Sequence, residues 1–433
     1  MTERVNASIK TEPYWWEQAP RVDADPIALP KHVDTLIVGA GFSGINAARV
    51  LARAGRSVLV CEADVVGYGA STRNGGMLGP SFHKLGVEGL KAHYGHSRTL
   101  ALLKESLGFI EFVEDLVTAE HIDCDFHRSG RFKGASRPRH FGQMAQEIDA
   151  LVRETGVEAD VVPRSEQHNE IGSDRFHGGV RFLTDGGLHP GKYHDGLVRI
   201  AKAAGVLVAA QTPVTDVTQD SNGFVVQTKS GSVRAGQVAI CTNGYTGKQF
   251  PAFRRRLVPI RSAMIATEPL GTQRMSELMP TRRMYGDSRR VMAYYRPCPE
   301  GSRILFGGRA AGPGDRPHAN AAALRTMLID VFPSLANTRI THSWSGLVAY
   351  AFDHVPHLGE LHGLWYAMGY CGSGVARASY FGTKLGYKML GQVDEGRTAF
   401  DDLGFDTRPL YSGNPWFIPA VVRWQRLLDD LGF

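Results

Sequence analysis

Three glycines, Gly39, Gly41 and Gly44, stand in GxGxxG spacing directly after an apolar run at residues 35–38. A turn without β-carbons lets backbone amides approach a pyrophosphate, whose charge then rests against the positive end of the following helix. Phe42 and Ser43 lie within that turn. Glu62, followed by Ala63, stands roughly twenty positions on, where a carboxylate can accept hydrogen bonds from both hydroxyls of an adenosine ribose and would repel a 2'-phosphate. Together they describe the seat of a dinucleotide. The segment GASTRNGG at 69–76 follows soon after. It is small, polar and rich in glycine, suited to lying along the flavin half of an extended FAD, with Gly69, Ala70, Ser71, Arg73, Asn74, Gly75, Gly76 and then Met77 as the contacts.

These residues need a strand, a turn and a helix to hold them. Residues 35–38 read as the strand, and 43–54 as the helix, with Ile45, Ala48, Val50, Leu51 and Ala54 on its apolar face and Gly55 as its stop. A second strand is expected at 57–61. From 83 to about 156 helical spacing takes over, most clearly at 99–119 and 139–154. A helix at 191–204 and short strands at 206–210, 214–218, 223–228 and 238–241 return to the nucleotide-binding layer. There Val214, and Thr242, Asn243 and Gly244 after the last strand, are further candidates for cofactor contact. Residues 290–295 and 303–307 read as paired strands outside that layer, joined by a turn at 297–301, and 339–348 as another strand. Residues 364–390 read as strand, glycine turn and helix, so that amides near Gly372, Ser373, Gly374 and Val375 could face a reduced flavin. The last stretch, 419–431, is amphipathic, and the aromatic segment TEPYWWEQAP is expected to pack across the body through Tyr14, Trp15 and Trp16.

With 433 residues, 43% hydrophobic and 21% charged, the chain can build two domains around a substantial core. Its five cysteines are scattered, without CxxC or metal-like clustering, and read as reduced thiols. No apolar stretch has the length of a signal core or a membrane span, which points to the cytoplasm. The net charge of +6 includes basic runs at 253–256, 282–283 and 289–290. No aromatic-interleaved basic tract accompanies them, so nucleic acid is not an expected partner.

Over nearly its whole length the chain resembles the D-amino acid oxidase and glycine oxidase superfamily of FAD-dependent oxidoreductases. The motifs that carry the resemblance are IVGAGFSG, GASTRNGG, GGLHPGKY, CTNGY, WSGLVAYAFDHVPHLG and GYCGSGVA, with the Glu62 strand end. Within the superfamily, GASTRNGG and the hairpin AYYRPCPEGSRILFGG are most similar to the gamma-glutamylputrescine oxidase branch. The resemblance implies an α/β fold (α+β overall) in which a discontinuous Rossmann-like FAD/NAD(P)-binding domain carries an antiparallel-sheet substrate domain with helices. The expected segments are an extension at 1–30, FAD-binding parts at 31–82, 161–250 and 341–395, substrate-domain parts at 83–160 and 251–340, and an amphipathic end at 396–433.

The chemistry so implied is hydride removal from a carbon beside an unprotonated amine to flavin N5, giving an imine that water hydrolyses. No obligatory base is needed, because orientation supplies much of the rate. The partners are a small amine or amino acid, of gamma-glutamyl amine, secondary amine or D-amino acid type, and oxygen or another electron acceptor. Tyr295 and Arg296 of the hairpin and Trp344 of WSG are the candidates for the substrate cavity, with Arg73 near flavin or substrate and Gly346 near the cofactor. Strand alternation puts Tyr295 and Arg296 on opposite faces unless a bulge intervenes. Monomeric sarcosine oxidases carry a flavin-linking cysteine that residues 346–352 lack, and a substrate-binding lysine where this chain has Ala376, so FAD is expected to be non-covalent. A histidyl link through His83 stays open. Two other readings fit the same scaffold: oxidation of an alcohol or hydroxy acid, and a flavin-holding electron relay without chemistry of its own.

Overall fold

The apolar run after Lys31 becomes the middle of a sheet. The computed structural model describes residues 9–22, 27–80, 85–310, 312 and 314–431, apart from the side chains of 426, 430 and 431. In it His32–Val38 pairs in parallel with Val58–Cys61 on one side and Gly231–Ile240 on the other. Leu207–Ala209 adds a parallel strand beyond Val58–Cys61, and Leu364–Met368 one beyond Gly231–Ile240. His357–Leu361 closes that edge in antiparallel sense. Parallel strands covered on both faces need apolar residues throughout, and Leu36, Ile37, Leu59 and Val60 are accordingly inaccessible. Val214–Asp220 and Gly223–Thr228 form an antiparallel flap on Gly231–Ile240.

Helix Phe42–Arg53, the one expected after the glycine turn, packs against helix Gly374–Met389. The two approach closely because a β-carbon on Gly382 would stand 2.3 Å from the Ser43 carbonyl oxygen, leaving room only for glycine.

The second sheet has the strand order Ile340–Tyr350, Val258–Thr267, Ile304–Arg309, Tyr294–Pro297, Met284–Asp287, Arg131–Gly134, Gly179–Phe182, Ala159–Val162. All neighbours are antiparallel except Met284–Asp287 with Arg131–Gly134. Phe132, Tyr285, Tyr295, Phe306 and Phe332 fill the space on one side of it, beside helix Pro317–Val331. Three of the expected limits need correction. Ala159–Val162 and Gly179–Phe182 fall within or beside the expected second FAD-binding part at 161–250, and Ile340–Tyr350 at the start of the third at 341–395, yet all three strands belong to this second sheet. Their partners, Arg131–Gly134 and Val258–Thr267, are distant in sequence, and pairing of that range leaves no local sign. The hairpin strand expected from 290 starts only at Tyr294. The Asp287 carboxylate accepts the amides of Arg289 and Ala293, which winds the intervening residues into a tight loop.

The N-terminal aromatic segment packs across the body as expected. Trp15 is inaccessible to solvent and meets His189 edge-on, with ring centroids 4.8 Å apart. His189 Nδ1 accepts the Lys192 amide at 3.1 Å and so caps helix Pro190–Ala203. Burial, and next the Lys192 charge, lowers the His189 pKa from 6.5 to about 4. The unfolded chain therefore takes up this proton at a higher pH than the folded one. Stability from neutral His189 is fully present above about pH 6.5 and is lost as pH falls towards 4, by about 3 kcal/mol at 1.36 kcal/mol per pKa unit. Urea unfolding of wild type and His189→Asn across this range tests it. The asparagine keeps an acceptor at the cap but does not titrate, so the acid loss is expected to be smaller by that amount.

Candidate active site

Gly39 has φ +105°, a conformation few side chains tolerate. Its carbonyl oxygen lies where a Gly44 β-carbon would be, at 2.0 Å, so the third glycine lets helix Phe42–Arg53 sit directly on the turn. Gly41 opens that helix without a side-chain cap, and a β-carbon on it would be 3.0 Å from Ser71 Oγ. At the end of the next strand Glu62 is oriented by backbone amides: Oε2 accepts from Ala40 and Oε1 from Ala63, each at 2.9 Å. Burial raises the Glu62 pKa, while these amides and that of Asp64 oppose the shift.

From this turn a cleft of about 1570 Å³ runs past residues 67–79 to the second sheet. Pockets for single small ligands hold roughly 300–1,000 Å³, so this one has room for an extended dinucleotide together with a substrate. Its chemistry fits FAD: uncapped helix amides for the pyrophosphate, a carboxylate for the ribose and a glycine-rich wall for the flavin. Every expected cofactor residue lines the cleft except Gly44, Gly76 and Gly244. Gly44 serves the helix contact just described, and Gly244 faces Leu347. Gly76, at φ +63°, gives its carbonyl to Arg296.

The flavin-side loop is pinned by three indoles. Trp15 Nε1 donates to the Asn74 carbonyl at 2.7 Å, Trp344 Nε1 to the Arg73 carbonyl at 2.9 Å and Trp16 Nε1 to Thr72 Oγ1 at 2.9 Å. Within the loop Asn74 Oδ1 accepts the Gly76 amide at 2.7 Å. The Arg73 guanidinium lies over the Tyr68 ring, 4.3 Å from its centroid, and donates to the Tyr68 carbonyl at 2.6 Å. Across the cleft, Cys371 and Gly372 both have positive φ and bring the start of helix Gly374–Met389 to the wall.

The three residues expected in the substrate cavity lie elsewhere. Tyr295 is stacked between Tyr285 and Phe306 on the far side of the second sheet, with centroids 5.6 and 5.1 Å away. Arg296 does lie on the opposite face from Tyr295, yet beneath the loop: Nη1 donates to the Gly76 and Leu188 carbonyls at 2.9 and 2.8 Å. Desolvation lowers its pKa to about 10, and it clamps backbone carbonyls instead of lining a substrate cavity. Trp344 has no exposed surface and spends its N–H on Arg73.

Their place on the cleft wall is taken by Tyr294, one residue before Tyr295, together with Met264, Arg309, Tyr350 and Lys133. The Tyr294 hydroxyl is 3.0 Å from Ser262 Oγ. A β-carbon on Gly75 would stand 3.5 Å from its ring, so Tyr294 borders the flavin-side loop. Phe417, Ile418, Val421 and Val422 at the start of the C-terminal helix Ile418–Leu431 complete the lining. His83 lies outside the described residues. No helix among the described residues is long and apolar enough to cross a membrane.

Comparison with known proteins agrees with this geometry. The family model described as FAD dependent oxidoreductase (DAO) matches residues 34–387. "Probable oxidoreductase OrdL" of Rhizobium meliloti (strain 1021) is 30% identical over 405 residues, covering 92% of each chain. Gamma-glutamylputrescine oxidoreductase of Escherichia coli (strain K12) is 27% identical, with 83% of this chain and 84% of that protein covered. Among solved structures, glycine oxidase from Geobacillus kaustophilus superposes with a TM-score of 0.73 at 20% identity, over 88% of this chain and 99% of that one. The match at residues 34–387 takes in the glycine turn and the Glu62 strand end, and the protein belongs to the FAD dependent oxidoreductases of the DAO family.

Proposed function

We propose that this flavoenzyme oxidises a C–N bond of a small amine or amino acid, with gamma-glutamyl amines, secondary amines and D-amino acids as the classes to test. The observation that carries the reading is the continuity of one cleft from the dinucleotide turn to a chamber walled by Tyr294, Met264 and Tyr350. Similarity to a gamma-glutamylputrescine oxidoreductase and to glycine oxidases supports the amine class. Bound FAD supplies the acceptor, at N5, for the hydride that leaves the carbon next to the amine.

The chain's own residues bind, orient and shield. Gly39–Gly44 and Glu62 would hold the ADP half of FAD, and residues 71–77 would line its flavin half. The start of helix Gly374–Met389, on the cleft wall, would offer amides to negative charge on a bound flavin. Tyr294, Met264 and Tyr350 would surround the alkyl part of an amine, and the Arg309 cation, whose charge acts on both tyrosines, would disfavour a second positive charge there. There the neutral amine, which carries the lone pair that assists hydride loss, is favoured over its ammonium form.

The test is the visible spectrum of the purified protein, followed anaerobically during addition of each amine class and of hydroxy acids. A flavin band is expected, with the flavin released into the supernatant by acid precipitation because the attachment is non-covalent. Bleaching is expected with one amine class, and return of colour in air would identify oxygen as acceptor. Bleaching by a hydroxy acid alone would transfer the reading to C–O oxidation. A protein that stays colourless after incubation with FAD would overturn it altogether.

A further inference from the structure

Strand Arg131–Gly134 sends its side chains alternately to two sides. Phe132 is fully buried in the core beside the sheet, whereas Arg131 and Lys133 line the cleft. Arg131 is committed: its Nε lies 3.0 Å from Asp185 Oδ2, and Nη2 donates to the Leu78 carbonyl. The Lys133 ammonium has no hydrogen bond or ion pair with any described residue.

The charges acting on its ammonium are Glu147 and Asp287, which attract it, and Arg131, which repels it. Neither acid closes on it. The Asp287 carboxylate is taken up by the Arg289 side chain and by the amides of Arg289 and Ala293. Glu147 is exposed on helix Pro138–Thr155. Burial consequently lowers the Lys133 pKa from the usual lysine value. A cation held in a protein-walled space without a counter-ion is costly unless something else brings the opposite charge.

The register of the sheet gives its distance from the flavin side. Lys133 lies opposite Gly286, Gly286 opposite Tyr294, and Tyr294 opposite Gly307. At about 4.8 Å between strands, the backbone of Lys133 is about 10 Å from that of Tyr294, the residue bordering the Gly75 loop. The strand between them is bare at this level. A β-carbon on Gly286 would meet only the Ala293 carbonyl oxygen, at 3.5 Å. A shallow trough thus leads from Tyr294 across Gly286 to an unneutralised ammonium.

We propose that Lys133 anchors a carboxylate at the far end of the substrate, several bonds from the C–N bond that is oxidised. This inference rests on the amine-oxidising reading above and narrows it to amines carrying a remote carboxylate, in preference to amino acids whose carboxylate sits on the reacting carbon. Lys133 would set specificity through binding, with no part in hydride removal.

The test uses the FAD-loaded enzyme with ω-amino acids of increasing chain length, each paired with the n-alkylamine of equal length. In wild type kcat/KM is expected to favour 5-aminopentanoate over pentylamine. In Lys133→Met that ratio is expected to fall about 10- to 100-fold, mainly through KM, the size of one charge-assisted hydrogen bond. Lys133→Arg is expected to restore most of it. Binding of pentanoate, read from the shift of the flavin visible band without turnover, is expected to weaken by the same factor in the methionine variant. An unchanged ratio, or unchanged pentanoate affinity, would overturn the assignment. If no amine bleaches the flavin, the amine-oxidising reading fails by itself, and the pentanoate titration still decides whether Lys133 holds a carboxylate.

Discussion

Gly44→Ala is expected to purify with less than a tenth of the flavin carried by wild type. The added β-carbon would stand 2.0 Å from the Gly39 carbonyl oxygen and 3.2 Å from Ile37 Cγ2. The first of these is backbone and cannot rotate aside. Relief requires helix Phe42–Arg53 to move off its strand, but the opposite flank is blocked where Gly382 and Gly386 bring helix Gly374–Met389 against Ser43 and Val50. Overpacking of this kind costs about 1–3 kcal/mol where neighbours can yield, and here they yield only by opening the turn that would seat the pyrophosphate. The ratio of visible to 280 nm absorbance after purification, with and without added FAD, measures the effect. Full flavin occupancy in the alanine variant would show that the pyrophosphate is held elsewhere.

Trp15→Ala is expected to destabilise the holoenzyme by about 3–5 kcal/mol, the range for removing a large aromatic from a closed core, and to loosen flavin binding as well. Trp15 lies in a cluster with Met264, Leu305 and Trp344, meets His189 edge-on and lies under the Arg296 guanidinium. Its loss leaves the Asn74 carbonyl without its indole donor in the loop along the flavin side. Urea unfolding at fixed FAD concentration reads the stability change, and FAD titration of the apoprotein reads the affinity. Trp16→Ala is the natural comparison. That ring is only partly buried and bonds a hydroxyl, Thr72 Oγ1, so both effects are expected to be smaller. Equal effects from the two variants would mean that the segment acts merely as a cover.

The cofactor half of the site was legible because its information is local. Strand, glycine turn, helix and carboxylate lie within residues 32–62, and each rule applies over a few positions. The substrate half depends on which face a strand turns inward, and a one-residue difference inverts the answer. Tyr295 and Tyr294 are the same side chain in adjacent places. Only the pairing of Tyr294 with Gly307, whose missing side chain makes room for the ring, determines which one meets the cleft. Arg296 reads as a substrate-cavity residue because nothing in its neighbourhood announces the Gly76 and Leu188 carbonyls that it serves. Lys133 left a faint trace, an apolar Phe132 between two cations. A strand of four residues is too short for alternation to stand out, and its partners at 179–182 and 284–287 lie far along the chain.

The interleaving of the two sheets has a consequence for biosynthesis. The sheet that begins with His32–Val38 is joined by Leu364–Met368, and helix Gly374–Met389, which braces the glycine-turn helix, follows later still. During translation the early strand, turn and helix therefore emerge long before the elements that cover them, and domains generally fold as units. The nascent chain cannot complete its nucleotide seat on the ribosome until nearly nine-tenths of its residues have been made. Flavin capture is thus a late event for this polypeptide. An interruption of synthesis between residues 240 and 364 leaves the Gly231–Ile240 edge without its partner strand and the Ser43–Val50 face of helix Phe42–Arg53 without its cover, exposed surfaces of the kind that chaperones bind.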